Sequence, residues 1–166
     1  MITVEFIQKM ARYNQWQNQS LYTAADQLNE SERRQDRGAF FKSIHGTFCH
    51  LLWGDQIWMH RFARTNMPEA AVIPDSADMI DDWDQLKAQR IEFDKTIIGW
   101  ADELNSDELT GEMSWFSGAL SREVTKPKAL LITHMFNHQT HHRGQVHAMI
   151  TATGGRPDDT DLFILK

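Results

Sequence analysis

The chain has little that would staple, break or anchor it. Its 166 residues include one cysteine, Cys49, so no disulfide can close within the chain, and a reducing compartment, the cytoplasm, is the expected setting. It has four prolines, Pro68, Pro74, Pro127 and Pro157, which fall between long stretches free of helix breakers. No apolar run approaches the ~18 residues of a membrane span, so none is expected. The opening segment MITVEFIQKMARYNQW has no apolar centre and does not read as a signal peptide. Basic residues are the minority, 17 against 23 acidic, and the net charge of −6 argues against a nucleic-acid binder. Repeats, low-complexity tracts and linkers are missing as well, which leaves one domain over residues 1–166. A chain of this size buries roughly two thirds of its unfolded surface and needs no staple to fold.

What is present is helical periodicity. Ile7, Met10, Ala11, Leu21, Ala25 and Leu28 share a face over about 2–28. Ile44, Phe48, Leu51, Trp58 and Phe62 form a stripe over about 40–65. A third helix, about 78–100, runs through Trp83, Leu86, Ile97 and Trp100, with Ser76 or Asp78 as the expected N-cap. Residues 102–126 mix glycine, serine and threonine and read as a short hairpin or turns. Pro127 suits the first turn of a last helix ending near Thr153, before Gly154 and Gly155. Four long helices in a short domain predict an all-α four-helix bundle, with the up-down order left open by the longer connections.

Two residue types exceed expectation: six tryptophans, read as packing, and eight histidines. On a wheel of about 100° per residue, Leu131, Met135, Val146 and Met149 share one face of the last helix. His138 and His142 fall inside that stripe, one turn apart. His134 and His141 lie at its edge, and His147 points to the opposite side. A lone core histidine is usually a hydrogen-bonded structural residue. An in-register pair is different, because two adjacent buried imidazoles cannot both carry charge cheaply. A divalent cation binds neutral imidazole and resolves the conflict. An i, i+4 pair aims two nitrogens at one point, and a third ligand must come from a facing helix. The second helix offers His45, His50 and His60, and Asp55 in its apolar stripe. The wheel places His50 and His45 about equally far from that stripe, so it does not choose the third ligand.

Three motifs carry a resemblance. YNQWQN at 13–18, TFCHLLWGDQIWMHRF at 47–62 and THMFNHQTHHRGQVHAMITATGG at 133–155 resemble the first, second and last helices of the DinB family, and GGRPDDTDLF at 154–163 fits its ending. The resemblance covers essentially the whole chain. It implies a DinB/YfiT-like four-helix bundle, often a homodimer, with a divalent metal on three histidines. Mapped by motif, those are His50, His138 and His142.

Three neutral imidazoles leave at least one position open, the pattern of catalytic rather than structural zinc. Zinc and nickel both suit imidazole, and the order of metal affinities does not choose between them here. Relatives in the superfamily imply a metal-dependent S-transferase in which a low-molecular-weight thiol attacks a small electrophile. A hydrolase and a non-catalytic metal-binding stress protein are the alternatives. Asp55 is expected to orient a ligand imidazole or to make a structural hydrogen bond. Arg90, on the core stripe of the third helix, is expected to meet an anionic substrate or to pair with a carboxylate such as Asp55. Arg143 is expected to point away from the ligand stripe into a salt bridge or a facing helix. Gly144 is expected to allow close helix approach.

Overall fold

The computed structural model describes residues 2–118 and 120–165. Four long helices form it: α1 (Val4–Ala25), α3 (Ile44–Ala63), α4 (Trp83–Glu103) and α5 (Lys128–Thr151). A five-residue helix α2 (Glu30–Arg34) occupies the polar stretch after α1, closed by a capping box between Asn29 and Glu32. Residues 102–126 hold a 3₁₀ turn, Ser106–Leu109, and an antiparallel hairpin of β1 (Glu112–Ser117) and β2 (Arg122–Pro127). A hairpin is thus the outcome of the alternatives left open there.

Local chemistry sets the helix starts. Thr3, Ser43 and Asp82 each accept a hydrogen bond from a backbone N–H of the first turn. The N-cap of α4 is therefore Asp82, whose carboxylate takes the Gln85 N–H at 2.7 Å, and not Ser76 or Asp78. Those two lie in a separate 3₁₀ turn, Ile73–Asp78, and Ser76 is fully buried there. Pro127 ends β2 and immediately precedes α5 instead of opening its first turn.

The core has two apolar ends. Leu21, Phe48, Leu52, Leu86, Val146 and Ile150 pack at one. Ile7, Ala11, Met59, Ile97, Met135 and Phe136 pack at the other. Reading each helix from one cluster to the other orders the bundle: α1 and α5 run one way, α3 and α4 the other. This up-down-down-up arrangement explains the long connection between α3 and α4, which must return along the bundle before the chain descends again. 

Between the apolar ends lies a buried polar belt. Asn18 Nδ2 of α1 donates to Asp94 Oδ1 of α4 at 2.9 Å. Arg90 bridges Asp94 at 2.9 Å and Asp55 of α3 at 2.6 Å. Gln139 Nε2 of α5 donates to the other oxygen of Asp55. One chain of bonds thus ties all four long helices. Burial alone would lower the Arg90 pKa, but the carboxylates of Asp94 and Asp55 outweigh it and raise it. Replacing Arg90 with Met leaves two buried carboxylates uncompensated. Chemical denaturation should then show a loss of about 3–5 kcal/mol, with any loss under about 1 kcal/mol contradicting this account of the belt.

Candidate metal centre

The three imidazoles singled out by motif converge where α3 faces α5. His50 comes from the first half of α3, and His138 and His142 stand one turn apart on α5. Each offers a ring nitrogen within 4.8 Å of the other two. His50 Nε2 and His138 Nε2 are 3.2 Å apart. A tetrahedral ion with bonds of about 2.0–2.1 Å to nitrogen would hold two ligands about 3.3–3.4 Å apart, so this pair is already near ligation distance.

The outer hydrogen bonds select the tautomers. Ser76 donates its only hydroxyl proton to the Ile73 carbonyl at 2.6 Å, so it must accept from His50 Nδ1–H at 2.8 Å. The Gln145 carbonyl oxygen can only accept, so His142 Nδ1 also carries a proton, at 2.7 Å. In both rings the lone pair is left on Nε2, as a metal ligand requires. Burial first, then the neighbouring imidazoles, push the pKa of His50 and of His138 down to about 3. His142 is lowered as well, chiefly by burial. The centre is therefore three neutral donors at neutral pH, a cluster that could hold a divalent cation.

Packing makes the room. A Cβ on Gly54 would stand 2.9 Å from His138 Cε1, so glycine on α3 is what lets the ring sit there. Gly144, expected at a close helix approach, has nothing within 4 Å of its Cβ direction; that role belongs to Gly54, while Gly46 lies against the Phe41 carbonyl of the turn before α3. Phe41 stacks on His50 with centroids 3.7 Å apart, and Trp53 flanks the same ring at 5.5 Å.

The remaining candidates go elsewhere. His45 Nε2 donates to the Ile80 carbonyl at 2.7 Å and is a structural histidine. Asp55 is neither a ligand nor the partner of a ligand imidazole, because Arg90 and Gln139 occupy its two oxygens. Of the two expectations for Arg90, the pairing with Asp55 is present, and Arg90 is buried between Asp55 and Asp94. Arg143 is buried over the Tyr13 ring of α1 at 5.6 Å, a facing-helix contact, and among the described residues it has no carboxylate within 4 Å. His147 joins no ligand cluster among the described residues. Sequence reasoning missed Ser76 and Gln145; the i, i+3 spacing of Gln145 from His142 was the available signal for the second.

A helical bundle with a three-histidine cluster between two helices defines a class of candidate metalloproteins, and comparison with known proteins gives it a family. The DinB family model matches residues 1–166, and the chain belongs to the DinB family. Protein DinB of Bacillus subtilis (strain 168) is 24% identical over 168 residues, covering 96% of this chain and 94% of that one. The crystal structure of a DinB-like protein from Bacillus cereus ATCC 10987 superposes with a TM-score of 0.53 at 15% identity, over 87% of this chain and 90% of that one. This second likeness is one of fold. Among the described residues no helix is long and apolar enough to cross a membrane.

Two outcomes follow from the geometry. Gly54→Ala should move His138 and weaken zinc binding by about tenfold or more, read by competition with a chromophoric chelator, while the far-UV circular dichroism stays unchanged. The second concerns pH. His50 and His138 titrate near 3 in the fold and near 6.5 when exposed, so the unfolded chain binds more protons between those values. Their contribution to stability is complete above pH 6.5 and is lost as pH falls toward 3. The urea midpoint of metal-free protein should drop between about pH 7 and about pH 5, and His138→Gln should flatten that drop.

Proposed function

We propose that this chain is a metal-dependent transferase in which His50, His138 and His142 hold zinc or nickel, and a low-molecular-weight thiol attacks a small electrophile at the open position. The observation that carries the reading is the convergence of imidazole nitrogens with the His50 and His142 Nδ1 protons already committed to Ser76 and Gln145. When bound, the cation would lower the pKa of a coordinated thiol or water and so supply an anionic nucleophile at neutral pH. Three uncharged ligands leave its full charge to be balanced by whatever enters.

The chain's own residues set the other conditions. Ser76 and Gln145 orient two ligand rings. Phe41 and Trp53 close the His50 side, where the structure packs them on the imidazole. His138 is less buried than the other two ligands, and its exposed neighbours His134 and His141 border the approach. In the transfer, the sulfur forms a bond to the electrophilic carbon, the carbon–leaving-group bond breaks, and the thiol proton passes to water or to a rim imidazole. The sulfur must come from outside the chain. Cys49 is buried against the Ile80 carbonyl, and burial pushes its thiol up to about 11.

Metal titration of the wild type against His50→Ala, His138→Ala, His142→Ala and His147→Ala tests the ligand set. Stoichiometric binding should be lost in the first three and kept in the fourth. Zinc- and nickel-loaded protein should then be screened with glutathione, cysteine, mycothiol and bacillithiol against model electrophiles. Thioether product that depends on His138 supports the transferase. Metal binding without turnover in any combination favours a non-catalytic metal-binding protein.

A further inference from the structure

On α3, against the tryptophan that touches His134, stands a cation with no acidic partner among the described residues. Arg61 lies on α3 three residues after Trp58, and its guanidinium carbon sits 4.6 Å from the centre of the Trp58 ring and 5.5 Å from that of Trp115 on the hairpin. The two indoles meet at 68°, so they hold the guanidinium against two walls. Five other cations do have carboxylate partners: Arg12 with Asp102, Arg34 with Glu30 and Asp81, Lys87 with Asp26 and Asp84, Arg90 with Asp55 and Asp94, Lys95 with Glu92. Among the described residues no carboxylate lies within 4 Å of Arg61. Arg61 is also half-buried, and that burial lowers its pKa. A partly desolvated guanidinium without a carboxylate partner, set against ring faces, has the donor geometry to meet a planar anion in two parallel hydrogen bonds.

Its place matters as much as its charge. Trp58 touches His134, with centroids 5.2 Å apart, and His134 neighbours the ligand His138 at 6.1 Å. Arg61 is therefore linked through Trp58 and His134 to His138, the most exposed of the three clustered histidines. The His50 side is closed by Phe41 and Trp53.

We infer that Arg61, held by Trp58 and Trp115, is a specificity-determining residue that receives a carboxylate of the small molecule reacting at the histidine centre. The inference rests on the transferase reading for its substrate, a carboxylate-bearing thiol, but not for its measurement. The group it reads is the carboxylate, remote from the reacting atom, and a thiol without one makes no contact there.

The probe is S-methylglutathione, which keeps both carboxylates and has no free thiol, compared with its diethyl ester, which keeps the shape and loses the negative charges. Calorimetric titration of zinc-loaded wild type should show the acid binding at least about tenfold more tightly than the ester. Arg61→Gln should remove that preference without changing zinc affinity, and Arg61→Lys should keep part of it. Equal binding of acid and ester to the wild type overturns the inference. So does a preference that survives in Arg61→Gln, since the carboxylate then goes to the metal or to another cation. If Arg61→Gln does not fold, a reduced but measurable preference in Arg61→Lys together with a wild-type preference of the predicted size supports it, and an unreduced preference in Arg61→Lys or none in the wild type overturns it. The thiol reading fails by a different signal, when cobalt-loaded protein shows the same absorption with glutathione as with S-methylglutathione.

Discussion

The buried carboxylate of Asp55 is the joint on which the bundle is registered. It receives Arg90 from α4 on one oxygen and Gln139 from α5 on the other, and Arg90 carries the connection through Asp94 to Asn18 of α1. Charges this deep tolerate no sliding, because a shift of one helix by a turn would strand a carboxylate or a guanidinium without a partner. Apolar packing above and below is less particular, since aliphatic side chains accept several registers at similar cost. The belt therefore decides the relative height of the helices, and the two apolar clusters supply most of the burial that holds them at that height.

The histidine centre inherits this register. Gly54 precedes Asp55 on α3, and His138 precedes Gln139 on α5, so the bond between Asp55 and Gln139 sets the level at which the His138 ring meets the notch at Gly54. The electrostatic joint and the ligand cluster are adjacent layers of one contact between α3 and α5. Keeping the charges paired with each other, one residue away from the imidazoles, also keeps the histidine cluster neutral and would leave the charge of an incoming ion unspent.

How much of this the sequence revealed depended on how far each signal reaches. His138 and His142 stood out because α5 keeps one clear apolar stripe and they interrupt it. Arg90 was legible for the same reason on α4. His50 was not legible from periodicity, because α3 is buried on every face from Ile44 to Asp55, and a helix without a polar side has no wheel to read. The family motif supplied it. Asp55 was read correctly as inward-facing, but its partners lie on other helices, beyond any local window. Ser76 looked like a helix cap, the common use of serine before an apolar run, and instead accepts a hydrogen bond from His50 out of a 3₁₀ turn. The glycine that matters, Gly54, looks in sequence like Gly144, where an added Cβ would meet nothing.

The order of the helices along the chain bears on when the centre can exist. His50 and His138 are separated by 88 residues, and everything between them, including α4 and the hairpin, is made before the second ligand. During synthesis, a chain that has emerged only through α4 presents one imidazole of the three, and one imidazole holds a divalent ion too weakly to retain it. The loop that must close is long, and its closure comes with the docking of the last helix onto the finished frame. Capture of an ion at this cluster would thereby be postponed to the end of biogenesis, so a chain carrying metal there would be one whose last helix had already been placed.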